Sequence, residues 1–181
     1  NLKECEILEY EHRLNMRDAI MTRYMVIRDK KGRETEIHIE RFANIQLPHL
    51  GHIKFEFTPH NYSETITFTS GIDGSVINSG VPRYRQLNSK HLDILEKNSQ
   101  NGNIYMHART NTSKVDIHTT IRNQVFTDEG IYNLHSTDVI EKDEEIYENI
   151  TFKAEEGKTY QLEKTAAFYT SRDMDVADAK Q

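Results

Sequence analysis

The sequence predicts an all-β protein whose antiparallel strands form a two-sheet sandwich, and three observations predict it. Apolar side chains recur at every second residue through most of the chain, which is the period of a strand buried on one face. Turn-forming groups punctuate these runs at short intervals. Hydrophobic residues are 36% and charged residues 29%, so a core has to be assembled from one face of each element while the other face meets water. Strands of this kind need a second sheet over their apolar side, because a single open sheet would leave it exposed.

Taken in order, Thr35, Ile37 and Ile39 alternate with Glu34, Glu36, His38 and Glu40. Asp29-Lys30-Lys31-Gly32 joins that run, as a hairpin, to Tyr24-Met25-Val26-Ile27. Ile53, Phe55 and Phe57 repeat the pattern before Pro59, Ile66 and Phe68 before Gly71, and Val115, Ile117 and Ile121 later, with Thr119 in the same register. Together the runs read as a meander. Leu87 to Lys97 carries Leu92 and Leu95 among charges and fits either a short helix or a strand. Asp138 to Glu148 is the densest acidic patch; it lacks the spacing of a calcium loop and reads as a solvated loop and strand edge. Ile146, Ile150 and Phe152 belong to the strand near it. After Glu155-Glu156-Gly157-Lys158, the residues Tyr160, Leu162, Ala166 and Phe168 share one register, interrupted by Lys164. Asp173 is placed to cap a short helix starting at Met174, near the C-terminal end.

The 181 residues suit one compact domain spanning 1–181. A formal charge of −6 and a pI of about 5.9 argue against a nucleic-acid partner, which would need a concentrated basic surface. No apolar run approaches the roughly 20 residues of a membrane span, and the first residues lack the apolar stretch of a signal peptide; no membrane partner is expected. The single cysteine, Cys5, rules out an intrachain disulfide and fits a reducing, cytoplasmic setting. The triplets at Asn61, Asn111 and Asn149 read as chance sequons in a chain rich in Asn and Thr. Nine histidines include His107 and His118, which fall on runs able to lie side by side. Without an HExxH or paired CxxC spacing they predict no metal. There is no GxSxG elbow, Cys5 lies near the chain end, and no carboxylate pair stands out among 29 acidic residues, so no catalytic residue is assigned.

The stretch from Ser70 to Leu92, SGIDGSVINSGVPRYRQLNSKHL, concentrates the candidates for contact. Gly71 and Gly74 flank Asp73, an arrangement suited to a tight turn with positive φ. Asn78-Ser79-Gly80 before Val81-Pro82 reads as a second turn. It leads into Arg83-Tyr84-Arg85, whose arginines share one face of an extended segment and suit an anion in forked geometry. Asn78, Arg83, Arg85, Asn88, Lys90 and His91 are therefore the candidate residues, for substrate or for an interdomain contact.

The same stretch resembles the N-terminal β-sandwich domain of glycoside hydrolase family 65, whose members include phosphorylases of maltose, kojibiose, nigerose and trehalose. The resemblance extends through Arg13-Leu14-Asn15-Met16, Glu40-Arg41-Phe42-Ala43, Lys164-Thr165-Ala166 and Tyr169-Thr170-Ser171-Arg172-Asp173, and so covers nearly the whole chain. It implies a super-sandwich like that of galactose mutarotase. In the family a GNG-type opening segment comes first, and a helical linker with an (α/α)6 barrel follows the TSRD-like segment; neither is present here. With Asn1 in place of a starting methionine, the chain is expected to be an excised N-terminal domain.

The resemblance implies a parent enzyme that is an inverting α-glucoside phosphorylase of carbohydrate metabolism, using inorganic phosphate as co-substrate and no other cofactor. The general acid of such an enzyme lies in the barrel, so the chain alone is expected to be inactive. Its role would be to pack on its own catalytic barrel, shape the active-site rim around a disaccharide, and take part in a homodimer. The GVPRY and NSKHL segments look closest to the kojibiose and nigerose branch. Two other readings stay open: the N-terminal domain of a trehalose-type hydrolase, and a stand-alone carbohydrate-binding β-sandwich. An aldose epimerase-like activity is a further one that fold alone does not confer. Nine Tyr, seven Phe and no Trp weaken the binding module, since tryptophan is the usual platform for sugar stacking.

Overall fold

A computed structural model of the chain describes residues 4–78, 89–133 and 136–173. Among them run β1 (Glu6–Asn15), β2 (Ile20–Arg28), β3 (Glu34–Ala43), β4 (Leu50–Pro59), β5 (Glu64–Asp73), β6 (Leu92–Gln100), β7 (Asn103–Thr110), β8 (Asp116–Thr127), β9 (Gly130–Ile131), β10 (Ser136–Lys142), β11 (Glu145–Ala154) and β12 (Tyr160–Thr170). The larger sheet has the order β1-β2-β3-β4-β12-β8-β7-β6, with β9 beside β8, and a three-stranded sheet has the order β10-β11-β5. Both are antiparallel, as the alternation predicted.

The meander holds from β6 to β9 and, separately, from β1 to β4. There β5 leaves for the second sheet, and β12 takes the place beside β4. Alternation specifies which face of a strand is buried, not which strand lies next to it. The segment from Leu87, ambiguous between helix and strand, contributes β6 from Leu92 onward. The helix expected at Met174 lies outside the described residues.

Two compact units share these strands, with β5, β8, β10, β11 and β12 contributing residues to both. The first comprises the described residues of Asn1–Phe68, Asn123–Thr137 and Ile150–Thr165. Its β2–β3 hairpin turns as expected: the Gly32 N–H donates to the Asp29 carbonyl at 3.0 Å, and Gly32 has φ of 77°, which glycine accepts without strain. The Asp29 carboxylate accepts from the Lys31 N–H at 2.8 Å and from Arg33 Nε at 2.7 Å. The bond from Arg33 holds the carboxyl of Asp29 below its usual range. Met25, Ile37 and Phe57 stand opposite one another across β2, β3 and β4 and so share the inner face. Phe57, Val125, Ile150, Phe152, Tyr160 and Leu162 form the core, with Phe55, Phe68 and Tyr132 packed against it. The rings of Phe57 and Tyr160 stack at 5.4 Å, and Phe57 meets Phe68 edge-on at 5.1 Å. Lys164, the expected interruption of the β12 register, is half-buried, and burial lowers the pKa of its amine.

The second unit comprises the described residues of Thr69–Arg122, Asp138–Asn149 and Ala166–Gln181. Ile104, Met106, Ile121 and Ile146 form its core, with Ile72, Ile94 and Ala166 against them. Three expectations are corrected here. Gly71 lies inside β5, without positive φ. It is glycine because a Cβ would collide with the Ile146 carbonyl and with Tyr147, so close approach of β11 is the reason and not a turn. Glu148, placed by the acidic run among solvated residues, is buried, because it falls in the same alternating register as Ile146 and Ile150. Phe168 is 49% exposed; it stands past Ala166, the last β12 residue to pack on the core.

Candidate functional site

The polar face of β6, β7 and β8 in the second unit is created by a β-bulge. Ile94 pairs with Ala108, whereas Glu96 pairs with His107, leaving Leu95 without an opposite residue on β7. One extra residue inverts the side on which every later side chain falls. Leu92 and Ile94 therefore point with the core, while Glu96 and Asn98 point away from it. The rows across the three strands follow from the pairing: Glu96, His107 and His118; then Asn98, Tyr105 and Thr120; then Gln100, Asn103 and Arg122. The opposite face carries Ile104, Met106 and Ile121.

Two side chains on this polar face are as buried as core residues, Tyr105 at 7% exposure and His118 at 9%. The Tyr105 hydroxyl shares a 2.6 Å hydrogen bond with His118 Nδ1. His118 stacks on His107 with ring centroids 4.3 Å apart, so the pair suspected from the sequence does sit on neighbouring strands. His107 Nε2 lies 2.9 Å from Asp116 Oδ1. Arg109 grips the same carboxylate with two bonds, Nε to Oδ1 at 2.7 Å and Nη2 to Oδ2 at 3.1 Å. These bonds, from Arg109 first and His107 second, hold the Asp116 carboxyl down at about 2. Burial, with help from Glu96 and Asp116, pushes the Tyr105 phenol up to about 12. It is thus a neutral hydroxyl at any physiological pH.

Above the Asn98 row lies a cleft of about 540 Å³ lined by Glu96, Asn98, Gln100, Asn101, Asn103, Tyr105 and Thr120. It is flanked by the β6–β7 turn, where Asn101 and Gly102 have φ of 54° and 74°, the paired positive values of a tight Asn-Gly hairpin turn. Among the described residues no group of three His, Cys, Asp or Glu is arranged to hold a metal.

The residues singled out by the sequence lie elsewhere. Asn78 is exposed, and its N–H donates to the Ser89 carbonyl at 2.8 Å. Ile77 pairs with Lys90 in an isolated antiparallel bridge, which brings Asn78 and Lys90 together. Lys90 is ion-paired with Glu144, and its carbonyl accepts from Asn111 Nδ2 at 2.7 Å. His91 is exposed, its carbonyl accepting from the Asn111 N–H at 3.0 Å. Arg83, Arg85 and Asn88 lie outside the described residues. The cleft residues escaped sequence reasoning because, with unbroken alternation, Glu96 and Asn98 would fall on the apolar side of β6. The one sequence signal was the Asn-Gly pair at Asn101-Gly102, which marks a hairpin but not a bulge.

The TSRD-like segment is also structural. The Ser171 N–H donates to the Asp116 carbonyl at 2.9 Å, and Ser171 Oγ accepts from the Asp116 N–H at 3.1 Å. Asp173 Oδ2 accepts from the Thr170 hydroxyl at 2.9 Å and from its N–H at 2.6 Å.

The chain matches the family model for the N-terminal domain of glycosyl hydrolase family 65 over residues 1–181 and belongs to that family. It is 33% identical over 187 residues to a kojibiose phosphorylase of Caldanaerobacter subterraneus subsp. tengcongensis, a match covering 96% of this chain and 23% of that protein. It is 28% identical to an alpha,alpha-trehalose phosphorylase of Thermoanaerobacter brockii, covering 97% of this chain and 23% of that one. Its fold superposes on a putative kojibiose phosphorylase from the human microbiome with a TM-score of 0.81 at 12% identity, covering 99% of this chain and 22% of that structure. The chain thus spans about a quarter of the length of these curated relatives.

Proposed function

We propose that residues 1–181 act as a single domain, the non-catalytic N-terminal domain of an inverting disaccharide phosphorylase of the cytoplasm. In this reading it packs on the catalytic barrel of its own polypeptide, shapes the rim of the active site, and contributes to a homodimer. The barrel carries the general acid, inorganic phosphate attacks the anomeric carbon in place of water, and the chain itself supplies no catalytic residue. Asn78, Arg83, Arg85, Asn88, Lys90 and His91 make contacts to the barrel or to the disaccharide at its rim.

The observation that carries this reading is the extent of the match to kojibiose and trehalose phosphorylases, which runs through 96% and 97% of this chain while leaving most of each relative unmatched. The packing role draws support from β1, exposed along its whole length with Ile7, Tyr10 and Leu14 each more than half exposed. Apolar groups on an edge strand call for a cover.

The deciding assay uses the longer polypeptide that carries this chain, given kojibiose, nigerose, maltose and α,α-trehalose with and without inorganic phosphate. Phosphate-dependent β-glucose 1-phosphate from one sugar is the expected result. Glucose released without phosphate makes the parent a hydrolase, and no turnover of any of the four removes the reading. Light scattering on the 181-residue chain tests the packing role: self-association is expected, and a strictly monomeric, highly soluble species counts against it.

A further inference from the structure

We propose that the cleft over β6, β7 and β8 is a binding site for a neutral saccharide, formed by this chain alone. Its lining is dominated by side-chain amides. Among the described residues, Asn98, Gln100 and Asn103 form no side-chain hydrogen bond with the rest of the protein, so three carbonyl acceptors and three NH2 donors face the cleft uncommitted. An amide offers a donor and an acceptor side by side, the pairing that adjacent hydroxyls of a sugar present in reverse.

Other ligand classes fit less well. The cleft lining includes Glu96 and no Lys or Arg, which disfavours phosphate and carboxylate ligands. A divalent cation needs several clustered ligands, and no such group exists among the described residues. An apolar ligand would cover the amides without offering them hydrogen bonds. A neutral, hydroxyl-rich ligand satisfies them, and about 540 Å³ lies within the ordinary range of small-molecule sites.

The floor is held in place from below. Tyr105 is tied to His118, which stacks on His107, which is bonded to Asp116 in the grip of Arg109. Tyr105 is therefore fixed before any ligand arrives, and the ligand need not order it. Its ring is buried, so no aromatic face is offered for stacking. Affinity then rests on hydrogen bonds alone and falls in the millimolar range, roughly −4 kcal/mol.

Titration of the 15N-labelled 181-residue chain, followed by its amide and side-chain NH2 resonances, tests this with glucose, kojibiose and inorganic phosphate as separate probes. Saturable shifts of the Asn98, Gln100 and Asn103 NH2 signals are expected with either sugar and not with phosphate. Asn98→Ala with Asn103→Ala is expected to weaken binding about tenfold or more, the loss of one or two net hydrogen bonds, with the rest of the spectrum unchanged. Lys31→Ala, exposed in the β2–β3 turn of the first unit, leaves it unchanged. The proposal is overturned by no saturable shift up to about 50 mM, a level ample for millimolar affinity, by binding that survives the double variant, or by a response to phosphate instead. Turnover by the longer polypeptide is read in a separate assay, so either conclusion can fail without the other.

Discussion

The first unit fills its core with rings and the second with aliphatic chains. Phe55, Phe57, Phe68, Tyr132, Phe152 and Tyr160 meet in one cluster, several of them edge-on. Ile104, Met106, Ile121 and Ile146 serve the other unit, where Tyr105 instead lies on the polar face, bonded to His118. A ring in a core adds area and edge-to-face attraction. A ring on a polar face anchors a hydrogen-bonded network. The unit with the plainer core is thus the one equipped to recognise a ligand, since its aromatic and imidazole groups position polar atoms at a surface.

The largest effect expected on this contrast is from Phe57→Ala. It removes the ring shared by three aromatic contacts and should cost about 3–5 kcal/mol, measured by urea unfolding. Hydrogen exchange resolved by residue should show the loss concentrated in the first unit; equal loss in both would mean that the two cores melt as one. Deleting Leu95 comes next. With the bulge gone, either Leu92 and Ile94 turn outward or Glu96 and Asn98 turn into the core, at about 2–4 kcal/mol. Sugar-induced NH2 shifts should vanish with it. If stability and register survive the deletion, the bulge does not set the polar face.

Gly71→Ala is a smaller perturbation of the second unit. The added methyl meets the Ile146 backbone and Tyr147, and β5 must move away from β11 at about 1–3 kcal/mol. An unchanged Tm would show that the strands have slack there. The smallest effect is electrostatic. The carboxyl of Asp116 is depressed to about 2, below the roughly 3.9 of an unfolded aspartate. It therefore stabilises the fold above about pH 4, and that contribution is lost as pH falls from about 4 to about 2. Asp116→Asn should flatten the stability profile in that window alone. A profile parallel to that of the parent chain down to pH 2 would mean that the Arg109 pair, only partly buried, contributes nothing to stability.

Much of this molecule was legible in its residues. The Met25, Ile37 and Phe57 face, the hairpin at Asp29 to Gly32, the neighbouring placement of His107 and His118, and the family itself all follow from alternation, turn chemistry and local motifs. Gly71 shows the limit: a glycine marks a constraint, and only the backbone of β11 beside it tells whether that constraint is a turn or a close approach. The cleft shows it more sharply. Its residues come from three strands and the β6–β7 turn, and Glu96, Asn98 and Gln100 face outward only because Leu95 is skipped in the pairing with β7. The sequence by itself determined the strands, the apolar faces and the turns, since each depends on residues within a few positions of one another. Strand order, the burial of Tyr105 and His118, and the side on which Glu96 and Asn98 emerge were decided by the tertiary structure. Each of these depends on which distant backbone supplies the hydrogen-bonding partner, and a period of two does not encode that choice.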